Sequence, residues 1–276
     1  MSNRFEALAR WGYAARGVVY LLLGALALSS VFWGGGQKPS SEGAFTTLLG
    51  QPFGRILLAA VAIGLVGHVL WRLAVALLNA DRHDGDAKGY LARAGNLAGG
   101  VINAFLAFLA GRLALGAGGG SGGGSQGEDS IAAWLMQQPF GPWLVGLVGV
   151  VIIIAGIVQV WRGISGQYRK RVRLPAQHEA LLSAVCSFGL AARGVLIAVA
   201  GGFFVYAAFA VDAEQAGGVT DALDWVHQLP FGIWLYGLAA LGLVAFGAYS
   251  FIEARYREVN APRTEDVKRA AGRAVS

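Results

Sequence analysis

The chain has 276 residues, 55% of them hydrophobic and only 14% charged, with a mean hydropathy of +0.54 and a net charge of +6. That balance is too apolar for a water-soluble domain and matches chains built from several stretches of about 20 apolar residues, each able to cross a bilayer core. The single cysteine, Cys186, excludes an intrachain disulfide, a CxxC redox pair and any thiolate metal site that needs more than one sulfur.

Taken in chain order, the block ARWGYAARGVVY from Ala9 opens an apolar run that predicts a first span over about Ala14 to Gly34. No small-residue cleavage pattern follows it, so it is expected to stay as a helix and not to be a removed signal peptide. The segment SEGAFTTLLGQPFG from Ser41 leads into a second span over about Arg55 to Leu78. The DRHDGD stretch from Asp81 lacks the closing glutamate of a calcium loop and reads as a solvated loop. ARAGNLAGGVIN from Ala92 then opens a third span, about Leu97 to Gly116. Its small residues Gly95, Gly99, Asn103, Ala107 and Gly111, four apart, let helix backbones approach closely.

Gly116 to Gly127, with GGGSGGGS, is a flexible tether without the Lys-Ser/Thr of a phosphate cradle. DSIAAWLMQQPFG from Asp129 precedes a fourth span, Trp143 to Trp161, and a basic loop carrying Arg169, Lys170, Arg171 and Arg173. CSFGLAARGVLI from Cys186 opens the fifth span, Leu190 to Val211. TDALDWVHQLPFG from Thr220 leads to the sixth, Ile233 to Ile252.

These blocks are one pattern written three times. Gly12, Gly95 and Gly189 stand in register, as do Gly17, Gly100 and Gly194, and each unit repeats a Pro-Phe-Gly: Pro52, Phe53, Gly54; Pro139, Phe140, Gly141; Pro230, Phe231, Gly232. Three tandem two-helix repeats follow, over 9–80, 92–166 and 186–257, with a cytoplasmic tail over 258–276. The fold class is an all-α membrane protein with six transmembrane helices, pseudo-threefold about an axis along the membrane normal. In each unit a short interfacial helix precedes the Pro-Phe-Gly corner, with proline in the first turn of the next helix.

Charge sets the orientation. The side holding the N-terminus, the inter-repeat loops and the tail has 19 Lys and Arg against 9 Asp and Glu, whereas the hairpin tips have 3 against 7. By the positive-inside rule both termini face the cytoplasm, in the cell membrane. Trp11, Trp71 and Trp161 fall at that side and Trp33, Trp134, Trp143, Trp225 and Trp234 at the other, as interfacial indoles do. The basic face is explained by topology and by anionic lipid headgroups, without a nucleic-acid partner.

Two levels of polar residues lie within the spans. Counted from the outer ends, Tyr20, His68 and Asn103 fall at one depth near the midplane, where they could meet as a proton or substrate path or as a structural tie. Nearer the cytoplasm lie Arg16, Arg72, Arg162 and Arg193, with Gln159 and Glu253. These arginines either snorkel to phosphate and helix-end carbonyls, or one of Arg16 and Arg193 pairs with Glu253 in a buried polar pocket. Arg16 and Arg193 are equivalent between units, and the second unit has Gly99 at that place. No HExxH, GxSxG, Walker lysine or paired intramembrane carboxylates occur, so no enzyme, cofactor or metal is expected.

At the ARxGYxARG block and the recurrent Pro-Phe-Gly hairpins the chain resembles a bacterial membrane-protein family, domain of unknown function family 1206, whose pattern is three tandem two-helix units. The resemblance runs from Ala9 to Tyr256 and includes the closing EARYRE from Glu253. It implies fold and membrane location and carries no activity. The expected function is a non-catalytic membrane scaffold or lipid-interacting protein, partnered by the bilayer and its anionic lipids, with any protein partner unidentified. The second reading is a small-solute or ion transporter or channel with a path between the repeats.

Overall fold

The computed structural model describes residues 2–33, 41–78, 87–116, 132–170, 172, 174–212 and 215–257. The DRHDGD stretch, most of the glycine tether, Arg171, Arg173 and the tail over 258–276 lie outside them. Nine helices are described in chain order: α1 (Ser2–Trp33), α2 (Ser41–Leu49), α3 (Gly54–Leu78), α4 (Ala87–Ala114), α5 (132–136), α6 (Gly141–Ile164), α7 (Glu179–Ala210), α8 (Val219–Gln228) and α9 (Gly232–Tyr256). Short 3-10 turns at Gln167–Lys170 and Ala176–His178 join α6 to α7. A lone antiparallel bridge ties Val172 to Arg257 at the end of α9.

Five helices are long and apolar enough to cross a bilayer, over Ala9–Ser30, Gly54–Leu77, Gly141–Ile164, Ala176–Ala210 and Gly232–Tyr256. The expected third span is a helix too, but only Asn103–Ala114 of α4 is a sustained apolar stretch. Arg93, Asn96 and a run of glycines dilute its first half. The surface is inverted relative to a water-soluble bundle. On α6 the buried residues are Gly141, Val145, Gly149, Gly156 and Gly163, while Trp143, Leu147, Val151, Ile154, Ile157 and Trp161 face outward. Large side chains in that arrangement need an apolar solvent.

Side by side, the long helices pack in the order α4, α3, α1, α9, α7, α6, and α4 and α6 are not packed on each other. Glycines set the seams. An added Cβ on Gly12 would come within 2.6 Å of the His68 backbone, and one on Gly189 within 2.4 Å of Phe246, the matching place in the third unit. Gly17 lies against Gly247 and Gly194 against Gly156, again matching positions. The stripe on α4 is used only in part, for Gly95 and Gly111 have nothing within 4 Å of an added Cβ.

The three Pro-Phe-Gly corners share one geometry. Gly54, Gly141 and Gly232 donate their N–H to the carbonyls of Gln51, Gln138 and Leu229 at 2.8, 2.9 and 2.7 Å. Proline is therefore at the second position of a tight turn, two residues before the first helical residue and not in the first helical turn where the sequence suggested it. Phe53, Phe140 and Phe231 are the helix N-caps, at φ of 61°, 61° and 62°. A bulky residue in this left-handed region is strained, and all three rings are about four-fifths exposed, at 78%, 80% and 81%. The following glycine has no alternative, since a Cβ there would sit 2.2, 2.3 or 2.0 Å from the carbonyl oxygen of Leu49, Met136 or His227. The segments before the corners are helical as expected, and each is anchored in the core, by Phe45, Ala132 and Leu223 respectively.

Candidate functional site

One polar layer crosses the bundle, toward the ends of α3, α6 and α9 that lie opposite the corners and about midway along α1, α4 and α7. It rests on two register positions. Four residues after Gly12, Gly95 and Gly189 stand Arg16, Gly99 and Arg193; eighteen after Gly54, Gly141 and Gly232 stand Arg72, Gln159 and Ser250. The helix order brings these together at every seam between successive units, and each seam holds one of these guanidiniums.

At the α1/α9 seam, Arg16 donates Nε to Ser250 Oγ at 3.1 Å and pairs through Nη2 with Glu253 Oε2. Ser250 Oγ in turn donates to the Phe246 carbonyl at 3.0 Å. Glu253, 2% exposed, takes a second guanidinium from Arg257 at 2.5 Å through Oε1. Both arginines lie over the Tyr13 ring, at 5.2 and 5.1 Å, so two cations share one carboxylate and one aromatic face.

At the α6/α7 seam, Arg193 donates Nη1 to Gln159 Oε1 at 2.7 Å and Nε to the Tyr20 hydroxyl at 2.8 Å. It has no carboxylate partner among the described residues. The Phe246 ring lies between the two seams, 5.1 Å from the Arg16 guanidinium carbon and 4.7 Å from that of Arg193.

The α3/α4 seam inverts the roles. Here the arginine comes from the second helix, and the first helix contributes Gly99. The Arg72 Nη1 lies 2.1 Å from where a Gly99 Cβ would be, so the guanidinium fills the space that a side chain at 99 would take. Arg72 Nε donates to His68 Nε2 at 3.1 Å. An accepting Nε2 carries no proton, which assigns the proton of a neutral imidazole to Nδ1. That Nδ1 has no hydrogen-bond partner, although His68 is 1% exposed; its ring stands edge-on to Tyr13 at 4.9 Å.

Other basic residues near the same end serve the helices themselves. Arg10 donates to the carbonyls of Ala254 and Arg255, both at 2.7 Å, and Arg93 to that of Ala76 at 2.6 Å, closing the last turns of α9 and α3.

Arg16, Arg72, Gln159, Arg193 and Glu253 thus belong to one layer, with Arg16 and Glu253 as a buried pair. Arg162 is not in it and is exposed on α6. Tyr20, His68 and Asn103 do not meet: Tyr20 bonds Arg193, His68 bonds Arg72, and Asn103 donates to its own helix at the Gly99 carbonyl, 2.7 Å away. Depth counted from the outer ends misplaced them because α1 runs well past the start of α3. His68 is level with Gly12, and Tyr20 is eight residues, about 12 Å, further along. Ser250, Arg257, Tyr13 and Phe246 were missed. Counting from the corner glycines would have found Ser250, and the i, i+4 spacing from Glu253 would have found Arg257.

A family model described as Domain of Unknown Function (DUF1206) matches residues 11–79, 94–166 and 188–257. The chain belongs to this family. Each DUF1206 match contains one first-helix position and one second-helix position of the polar layer. The uncharacterised protein YxxB of Bacillus subtilis (strain 168) is 31% identical over 253 residues, covering 91% of this chain and 90% of that protein. No solved structure matches. Among the described residues of this DUF1206 protein, no group of three His, Cys, Asp or Glu is placed to hold a metal ion.

Proposed function

We propose that the protein is a non-catalytic, six-span protein of the cytoplasmic membrane that engages anionic lipid on its cytoplasmic side, where both termini lie. One observation carries this reading: four guanidiniums, Arg16, Arg72, Arg193 and Arg257, stand in one layer where Glu253, held by Arg16 and Arg257, is the single bonded carboxylate among the described residues. Charges so unbalanced favour an anionic membrane surface, and the basic excess on the same side supports the orientation.

The sixth span is α4. Its 28 residues rise about 42 Å, its Asn103 is turned inward, and Phe105 and Phe108 face out. The repeated glycine contacts support units related by an axis along the normal, but with a shift. On α1, His68 of α3 is met at Gly12 while α9 is met at Gly17 through Gly247, although Phe246 is the match of His68. The same offset recurs on α7, at Gly189 and Gly194. Each step therefore displaces a unit by about six residues, ~9 Å, along the axis. A ring built with such a step does not close, which accounts for the seam left open between α4 and α6.

The centre is packed. Tyr20 touches three clusters of buried residues, and Leu196, Leu243 and Phe246 fill the space around it. This favours a scaffold over a transporter. Proteoliposomes bearing a pH gradient test it: no His68-dependent flux is expected, and His68→Leu should lower stability by about 1 kcal/mol, the scale of a polar tie between membrane helices. Flux that depends on His68 at unchanged stability would overturn the reading in favour of a transporter.

A further inference from the structure

We infer that the α3/α4 seam binds a phosphate group on Arg72, which deepens the lipid-engaging reading above and rests on it. Three seams carry one such guanidinium each, and two are satisfied inside the protein. Arg16 has Ser250 and Glu253; Arg193 has Gln159 and Tyr20. Arg72 has only His68, through Nε. Its terminal Nη1 and Nη2 make no hydrogen bond among the described residues, and no carboxylate lies within ion-pair distance of it.

The nearest acid in the layer, Glu253, is already held by Arg16 and Arg257. A cation left without a counter-ion in a low-dielectric setting is costly, and an anion from outside the chain removes the cost. His68 orients the guanidinium, its Nε2 accepting from Nε. The edge formed by Nη1 and Nη2 remains, the edge that grips two oxygens of one phosphate.

Access agrees. Arg72 is only half-buried, and its backbone stands six residues, about 9 Å, before the end of α3. Gly99 and Gly100 keep the facing helix bare, with an added Cβ on Gly100 still 3.6 Å from the Arg72 Cβ. A phosphodiester headgroup and free inorganic phosphate offer the same oxygens to this edge.

Native mass spectrometry of the full chain in phosphate-free maltoside micelles distinguishes them, with phosphatidylglycerol added in one arm and inorganic phosphate in the other. Wild type should retain one phosphate-bearing ligand per chain, and Arg72→Gln should weaken that retention by roughly tenfold. Retention in the phosphatidylglycerol arm assigns a lipid, and retention only with inorganic phosphate assigns the free ion; either supports the site. Gly99→Ala keeps the charge but pushes the guanidinium aside, and it should weaken retention as well, which covers the case of Arg72→Gln failing to fold. Retention undiminished in whichever of the two variants folds would overturn the site while leaving general lipid engagement intact. A wild type indifferent to both probes would overturn the site and the reading together.

Discussion

Glu253 is the residue on which the polar layer balances. Among the described residues it is the one carboxylate bonded within this layer of four guanidiniums, and removing its charge leaves Arg16 and Arg257 buried with the Tyr13 face as their remaining shared contact. Glu253→Gln should therefore destabilise the fold by about 3–5 kcal/mol, measured by unfolding in bicelles. Arg16→Gln in the same background should cost less than in the wild type, because the cation it removes is then uncompensated; simple additivity of the two would contradict a coupled pair. A pairing of Glu253 with Arg16 or Arg193 was one of two readings open in the sequence, beside snorkelling, and the structure selects Arg16. The supposed meeting of Tyr20, His68 and Asn103 does not occur. A count of depth along the chain treats helix ends as level, whereas the levels are fixed by glycine contacts such as Gly12 on His68, which no composition window reveals.

Among elements, the corners and the seams make the same demand, close backbone approach, with different consequences. At a corner the chain turns on a left-handed phenylalanine and a glycine walled in by a carbonyl. Gly141→Ala should then cost about 1–3 kcal/mol, whereas Gly95→Ala and Gly237→Ala, with nothing within 4 Å, should be neutral or slightly stabilising as helix propensity improves. Thermal unfolding of the three variants checks this; equal losses would mean that the corner glycine is not confined. Phe140→Gly relieves the strained φ and should leave stability unchanged or raise it by up to about 1 kcal/mol. The repeated motif told where the corners are. It did not tell that proline precedes the helix, because proline is equally at home in a tight turn and in a first helical turn.

At the scale of the whole molecule, three units and their membrane character were readable from register and hydropathy. The open seam between α4 and α6 was not, because it follows from an offset that builds up from unit to unit. Orientation is open to direct test. Cys186 is fully buried, so single-cysteine labelling against the native thiol is clean. Lys170→Cys should label only from the cytoplasmic side and Gln137→Cys, beside the second corner, only from outside; the reverse pattern would invert the topology. The central claim is that the unbalanced cations of the inner layer engage anionic lipid. The measurement that tests it most directly is the unfolding temperature of the full chain in phosphatidylcholine bicelles with and without phosphatidylglycerol, at low and high salt. The account predicts a higher unfolding temperature with phosphatidylglycerol, a gain that high salt reduces only in part because the layer is shielded from bulk ions. The same unfolding temperature in both lipids at low salt would contradict it.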